Sequence, residues 1–143
     1  MSEFQRHLEV IYCDDARQEV GHKLSLMGIY SADLFVPEFP VTLPKLCVAI
    51  KAVTDIKKPF SSLEIFIYQG EGTSEANIIA SRQIEMPLGE AFMQDGSKLM
   101  IIQTIFMLSP FQLDEETTLR VRVKTESEEL KGLALRIKKA VQA

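Results

Sequence analysis

The feature that most constrains how this chain can fold is an alternation of apolar and other side chains with a period of two. It recurs over residues 46–52, 63–67 and 119–123, and in the last of these Arg120 and Arg122 fill the intervening positions. Successive side chains of an extended strand point to opposite faces, so every second residue can be buried while its neighbours face away. The pattern therefore predicts β-strands that share a common core.

We predict an all-β chain of about eight or nine strands, with room for at most one short helical turn near residues 88–93. A single sheet would leave one apolar face in water, so we expect an antiparallel β-sandwich. A length of 143 residues suits one core, so residues 1–143 are expected to form a single β-sandwich domain. The predicted strands are 7–13, 23–30, 33–36, 45–54, 62–69, 77–86, 98–108, 117–126 and 132–138. Prolines at 37, 40 and 44 predict an extended crossover over 36–44.

The C-terminal segment 128–142 fits two periods. A helical stripe is formed by Leu130, Leu133, Ala134, Ile137 and Val141, but Leu133, Leu135 and Ile137 also alternate as in a strand. We favour the strand, because Gly132 in the middle of a helix would cost about 1 kcal/mol relative to Ala. Residues 128–132 are then expected to be the tip of a hairpin after strand 117–126.

The run Leu99–Leu108 is apolar on both faces. A strand of this kind needs cover on both sides. Either it is a central strand whose second face is closed by a loop or by the 88–93 turn, or that face is a partner surface through which a weak homo-oligomer forms. We favour closure within one molecule.

Composition argues against several classes of function. The net charge of -4 lacks the basic character usual for nucleic-acid binding, so no nucleic-acid partner is expected. The polar residues 1–7 do not resemble a signal peptide, and no apolar run is long enough for a membrane helix, so we expect a cytoplasmic protein without membrane contact. Cys13 and Cys47 lie in apolar runs and are predicted to be reduced, buried thiols.

Between the first two predicted strands lies a charged loop, residues 14–22. Three interpretations stay open: oxygen ligands for Ca²⁺ from Asp14, Asp15 and Glu19, a structural network in which Arg17 pairs with these carboxylates, or a recognition site. We favour the structural network. No nucleophile is placed beside His22, so no catalytic residue is predicted. The loop has no Asp-x-Asp-x-Asp or glycine-centred array of ligands, so no metal ligand is predicted, and no cofactor is expected. The candidate contact residues are Asp14, Asp15, Arg17, Glu19, His22 and Lys23.

The residues of this loop also carry a resemblance. Cys13–Glu19 reads Cys-Asp-Asp-x-Arg-x-Glu, Lys23–Tyr30 reads Lys-x-x-Leu-x-Gly-x-Tyr, and Phe39–Pro44 reads Phe-Pro-x-x-Leu-Pro. In these three motifs the chain is similar to a family of small uncharacterised bacterial proteins, a domain of unknown function. The resemblance implies a soluble, β-rich bacterial domain and supplies no activity, substrate or cofactor.

These patterns favour a non-enzymatic binding or assembly module that acts through protein–protein contact. Its expected contact surface is the charged loop and the adjoining crossover at 39–44, and its protein partner is unidentified. The alternative is a β-sandwich that binds a metal ion or small ligand with the Asp14–Glu19 loop. A β-sandwich by itself does not decide between them, because this architecture serves many functions.

Overall fold

A computed structural model of the protein, which describes residues 4–21, 23–86 and 98–141, contains two large β-sheets and a small two-stranded one that contribute to one apolar core. This confirms the all-β, sandwich-like architecture. The strands are β1 His7–Glu19, β2 Lys23–Tyr30, β3 Asp33–Val36, β4 Val41–Leu43, β5 Leu46–Asp55, β6 Leu63–Gln69, β7 Ile78–Ile84, β8 Leu99–Leu108, β9 Phe111–Leu113, β10 Thr117–Thr125, β11 Glu129–Lys131 and β12 Leu135–Lys139. A short 3-10 turn, Glu75–Asn77, precedes β7. The predicted turn near 88–93 lies outside the described residues.

The first sheet has the strand order β2-β1-β5-β8, and the second has the order β3-β12-β10-β6-β7, with β11 also paired to β10. Neighbouring strands are antiparallel except β3 and β12, which are parallel. Strands β4 and β9 form a separate two-stranded sheet. Among the described residues, no helix is long and apolar enough to cross a membrane.

The predicted alternation accounts for the core. Val48 and Ile50 of the first sheet and Ile65, Ile67 and Val121 of the second are all buried in the same cluster. Burying a large aliphatic side chain contributes about 1.5–3 kcal/mol, so these facing sets supply much of the stability. The cationic residues of β10 alternate with its buried ones and therefore lie on the outer face of the second sheet.

Three strands were not predicted. Strands β4, β9 and β11 have three residues each, too few to show an alternation. Strand β4 lies in the segment where a crossover alone was expected, and it pairs with β9 because Val41 and Leu43 lie opposite Leu113 and Phe111 and both strands pack on the core. Prolines 40 and 44 beside β4 favoured the prediction of an unpaired crossover.

The C-terminal segment is a strand, as favoured, but its turn is displaced. Thr125 and Glu128 close the hairpin through a backbone hydrogen bond of 2.8 Å, so the expected tip at 128–132 is wrong. Residues Glu129–Lys131 form β11 instead. Gly132 then lies where a Cβ would approach the Val10 Cγ2 atom to 2.5 Å, so the glycine is required by close packing rather than by a turn. The strand resumes as β12 beside Thr117–Leu119.

Among the described residues, strand β8 lies at the edge of the first sheet, so the expected central position is wrong, while the 88–93 turn expected to close its second face lies outside those residues. Within the described residues it pairs only with β5. Met100, Ile102 and Phe106 point into the core, whereas Ile101 and Met107 on the other face are 46% and 53% exposed. The doubly apolar pattern therefore marks one buried face and one face that the described residues cover only in part.

Candidate functional site

The charged segment predicted as a loop is mostly strand. Strand β1 continues from His7 to Glu19 and pairs with β2, from Asp15 opposite Met27 to Glu19 opposite Lys23. The turn is short and contains Gly21 with a φ of +87°, a left-handed conformation that favours glycine. The prediction failed because this two-stranded ribbon extends beyond the part of β1 that pairs with β5, so polar side chains can occupy both faces. We call residues 14–21 and 23–29 the arm.

At the root of the arm, Asp14 and Gly28 are left out of the ladder between β1 and β2, which keeps the same register on either side. Gly28 has a φ of +69°, and a Cβ at this position would overlap the Asp14 carboxylate. The hydroxyl of Tyr30 donates a hydrogen bond to Asp14 Oδ1. Burial and this contact with Asp14 raise the pKa of Tyr30 to about 12. Gly28, which has no side chain, and the Asp14 carboxylate therefore fix the conformation of the root.

A second polar contact holds the arm to the crossover. Lys45 Nζ lies 3.1 Å from Asp15 Oδ1, and the backbone N–H of Ala16 donates to the same oxygen at 2.9 Å. These bonds, with a smaller effect of Arg17, hold the pKa of Asp15 below its usual value against the opposing effect of desolvation. Within the described chain Arg17 makes no ion pair shorter than 4.0 Å. The cation that neutralises Asp15 is thus Lys45 and not the predicted Arg17.

Beneath the arm lies a small apolar cluster, separate from the main core. Cys13 and Cys47 are fully buried there with Ala16, and Leu26 and Ile105 pack against them. In a regular strand, residues three apart point to opposite faces. Cys13 and Ala16 both face this cluster, so the alternation of side chains along β1 shifts by one residue at the root of the arm. The arm consequently folds over the outer face of the first sheet.

A cleft opens on each side of the arm. One, of about 840 Å³, lies between Gln18 and Glu19 of the arm and Ile105 and Met107 of β8. The other, of about 590 Å³, lies between the β2 side of the arm and the outer face of β1 and β5. Lys23, Leu24 and Gln103 line both clefts, so the end of the arm lies over the middle of the sheet.

Arg82 of β7 closes the first cleft at the edge of the sheet. Its guanidinium donates to the carbonyl oxygen of Ile105 at 3.1 Å and to the Thr104 hydroxyl, and it lies 4.3 Å from the centre of the Phe106 ring. A strand edge offers unpaired backbone groups to other chains, and a cation placed on it limits such pairing. Arg82 therefore blocks part of the β8 edge and links the two sheets.

The structure distributes the candidate contact residues along the arm. Asp14 and Asp15 lie at the root with different partners, Arg17 is exposed between them and the turn, and Glu19 and Lys23 line the first cleft. His22 lies outside the described residues. Within the described ranges, no three His, Cys, Asp or Glu side chains are grouped so that they could hold a metal ion.

Sequence reasoning missed three residues of this region, which are Tyr30, Lys45 and Arg82. Each acts on a partner that is distant in the chain, so local spacing carries no signal for the contact. For Tyr30 and Lys45 a signal existed, since Gly28 and Tyr30 belong to the second recognised motif and Lys45 directly follows the third. Asp14 and Asp15 of the first motif and Gly28 and Tyr30 of the second lie at the arm root, which gives these two motifs a common structural role.

Comparison with known proteins gives a family but no activity. Neither a curated protein nor a solved structure matches the chain. The model of a family of unknown function, DUF6941, matches residues 9–138, so the resemblance to a domain of unknown function is confirmed and the chain belongs to that family.

Proposed function

We propose that the protein is a non-enzymatic binding or assembly module whose contact surface is formed by the arm and the outer face of β8. The observation that carries this proposal is the exposure of large apolar side chains on both. Val20 is 92% exposed and Ile29 is 59% exposed on the arm, and Met27 lies between them. Ile101 and Met107 extend the surface along β8.

Scattered apolar residues are normal on a protein surface, whereas a group of them around a cleft is typical of interaction sites. Here Met107 lines the first cleft together with Leu24, Ile105 and polar groups that can fix the orientation of a partner, including Gln18, Glu19 and Lys23. Protein interfaces combine an apolar centre with a polar rim in this way. The proposed partner is therefore another protein, bound in a bacterial cytoplasm, and a second copy of this chain is the first candidate.

A photo-reactive amino acid placed at single positions tests the surface in cells that make the protein naturally. Positions 27 and 107 lie on the proposed surface. Phe35 is a matched control, because it is an exposed apolar strand residue of the second sheet. We expect positions 27 and 107 to cross-link to the same protein and position 35 not to do so, as judged by mass spectrometry of the adducts.

The same adducts from position 35 as from position 27 would show that contact is non-specific, and the proposal would be wrong. Absence of any protein adduct from both test positions would also contradict it. The alternative function, metal or small-ligand binding by Asp14, Asp15 and Glu19, is disfavoured because Asp14 and Asp15 already contact Tyr30 and Lys45.

A further inference from the structure

The two cysteines lie directly opposite each other on neighbouring antiparallel strands. Cys13 of β1 and Cys47 of β5 are Cα partners, and both are free thiols. Directly opposed residues in such a pair have Cα atoms about 4.5 or about 5.5 Å apart, depending on the hydrogen-bonding pattern. Both values fall within the range of about 4.4–6.8 Å found across disulfides. The backbone is therefore already placed for a bond between the two sulfur atoms.

Access to these thiols is controlled by the arm. Ala16 and Leu26 of the arm and Ile105 of β8 pack over the sulfur atoms, and both cysteines have no exposed surface. The arm has a single sheet partner for each of its strands beyond the root, and its Lys45–Asp15 contact is more than a third exposed on both side chains. Segments with few buried contacts open locally at a lower free energy than the core.

While the arm is closed, the thiols are also chemically unreactive. Burial, with the neighbouring Cys47, Asp14 and Asp15, raises the pKa of Cys13 to about 11, and burial likewise raises the pKa of Cys47. The thiolate is the nucleophile in exchange with disulfides, so little of it is present near neutral pH. Lifting the arm exposes the sulfur atoms to water and removes the largest of these effects.

We propose that Cys13 and Cys47 are a modification site at which a low-molecular-weight disulfide, such as oxidised glutathione, forms a cross-strand disulfide when the arm lifts. One cysteine thiolate attacks the glutathione disulfide and releases one glutathione thiolate, leaving a mixed disulfide. The second cysteine thiolate then attacks the protein sulfur of that bond and releases the second glutathione thiolate. The two cysteines lose two electrons and two protons, and one glutathione disulfide becomes two glutathiones. This inference does not depend on the proposed function.

The test is oxidation of the folded protein by oxidised glutathione, followed by acid quenching, alkylation and mass spectrometry. We expect the wild type to lose two hydrogens and to resist alkylation at both cysteines. Leu26→Ala removes cover from the sulfur atoms and should accelerate this change about tenfold. Leu8→Ala is the matched control, because Leu8 packs on the main core on the opposite face of β1. It should leave the rate near that of the wild type.

Circular dichroism establishes that each variant is folded, and Leu26→Val replaces Leu26→Ala if the latter is not. Equal acceleration by the Leu8 and Leu26 variants would show that global unfolding, not the arm, controls access. A stable glutathione adduct that does not proceed to the internal bond would overturn the pairing. Two thiols that both stay reduced in the Leu26 variant would overturn the proposal altogether.

Discussion

The position of the arm depends on individual residues at its root that other residue types replace poorly. Gly28 adopts a left-handed conformation directly against Asp14, and Asp14 in turn accepts the hydrogen bond of Tyr30. The sequence motifs contain all three residues, but they do not show that the residues contact one another. A motif records which residues are present, not which of them meet.

Gly28→Ala should lower the free energy of unfolding by about 2–3 kcal/mol. The left-handed conformation alone costs an L-residue roughly 1–2 kcal/mol, and the new Cβ would also displace the Asp14 carboxylate. Gly72→Ala is the control, since Gly72 has a φ of +86° but open space around its Cβ position. Urea unfolding of both variants measures the difference. Equal losses would mean that the contact with Asp14 does not matter.

The ionisation of a single residue, Glu126, is expected to make the stability of the folded state depend on pH. Arg6, whose side chain is only 4% exposed, pairs with Glu126, and the backbone N–H of Ser61 donates to Glu126 Oε1 at 2.7 Å. Partial burial would raise the pKa of this carboxyl, but the bonds from Arg6 and Ser61 outweigh it and lower the pKa from 4.5 to about 2. A carboxylate with a lowered pKa stabilises the folded state at a pH above its unfolded value.

Glu126→Gln should therefore be less stable than the wild type at pH 7, by about 1–2 kcal/mol. The difference should stay constant down to about pH 4.5 and then shrink as the pH falls towards 2, because the wild-type carboxylate becomes protonated. Urea unfolding at a series of pH values gives this difference directly. A gap between the two proteins that stays constant from pH 6 to pH 2.5 would contradict the assigned pKa.

At the scale of elements, the sequence predicted well the strands that pack on the core. Strands β6 and β10 each alternate between buried and less buried positions, whereas β5 is buried on both faces. The predicted bounds of all three lie within a few residues of the observed ones. Strand β2 was predicted with its observed bounds, whereas the extension of β1 over residues 14–19 and the three short strands were missed for a physical reason. A mainly polar strand extension, or a strand of three residues, is stabilised by pairing with segments outside it and leaves no periodic pattern.

The charged residues of the arm are expected to differ in their contribution to stability. Arg17→Ala should change the free energy of unfolding by less than about 0.5 kcal/mol, since Arg17 is exposed and makes no close ion pair with described residues. Lys45→Ala should cost up to about 1 kcal/mol, the range for a partly exposed pair.

Millimolar Ca²⁺ should leave the melting temperature of the wild type unchanged. A calcium-dependent rise that disappears in Asp15→Ala would instead identify the arm root as a cation site.

At the scale of the whole molecule, two sheets cover each other's inner faces, and the arm covers part of the remaining face of the first sheet. The cover extends over Cys13, Cys47 and Ile105 but leaves Ile101 and Met107 half exposed on β8. Strand order could not be deduced from the sequence, because the same apolar run suits a central or an edge strand. The order decides whether that run is closed within the molecule or is accessible to another one.

Self-association through β8 is the prediction that belongs to this scale. The edge of β8 and its exposed apolar face can pair with the same strand of a second copy, so we expect the sedimentation coefficient of the wild type to rise with concentration, as mass action requires for a weak dimer. Met107→Glu and Ile101→Glu place a charge on this face without entering the core, whereas Phe106 is buried and its replacement would unfold the protein. Both variants should be folded monomers.

Ile79→Glu is the control for these two variants, because Ile79 is similarly exposed but lies on β7 of the second sheet. It should keep the concentration dependence of the wild type. A wild-type sedimentation coefficient that does not change with concentration would exclude the dimer, and the accessible face of β8 would then be available only to a different protein. Loss of association in the Ile79 variant as well would place the contact on the second sheet.

Because Arg82 already occupies the Ile105 carbonyl oxygen on this edge, Arg82→Ala should strengthen the dimer if the strands pair there.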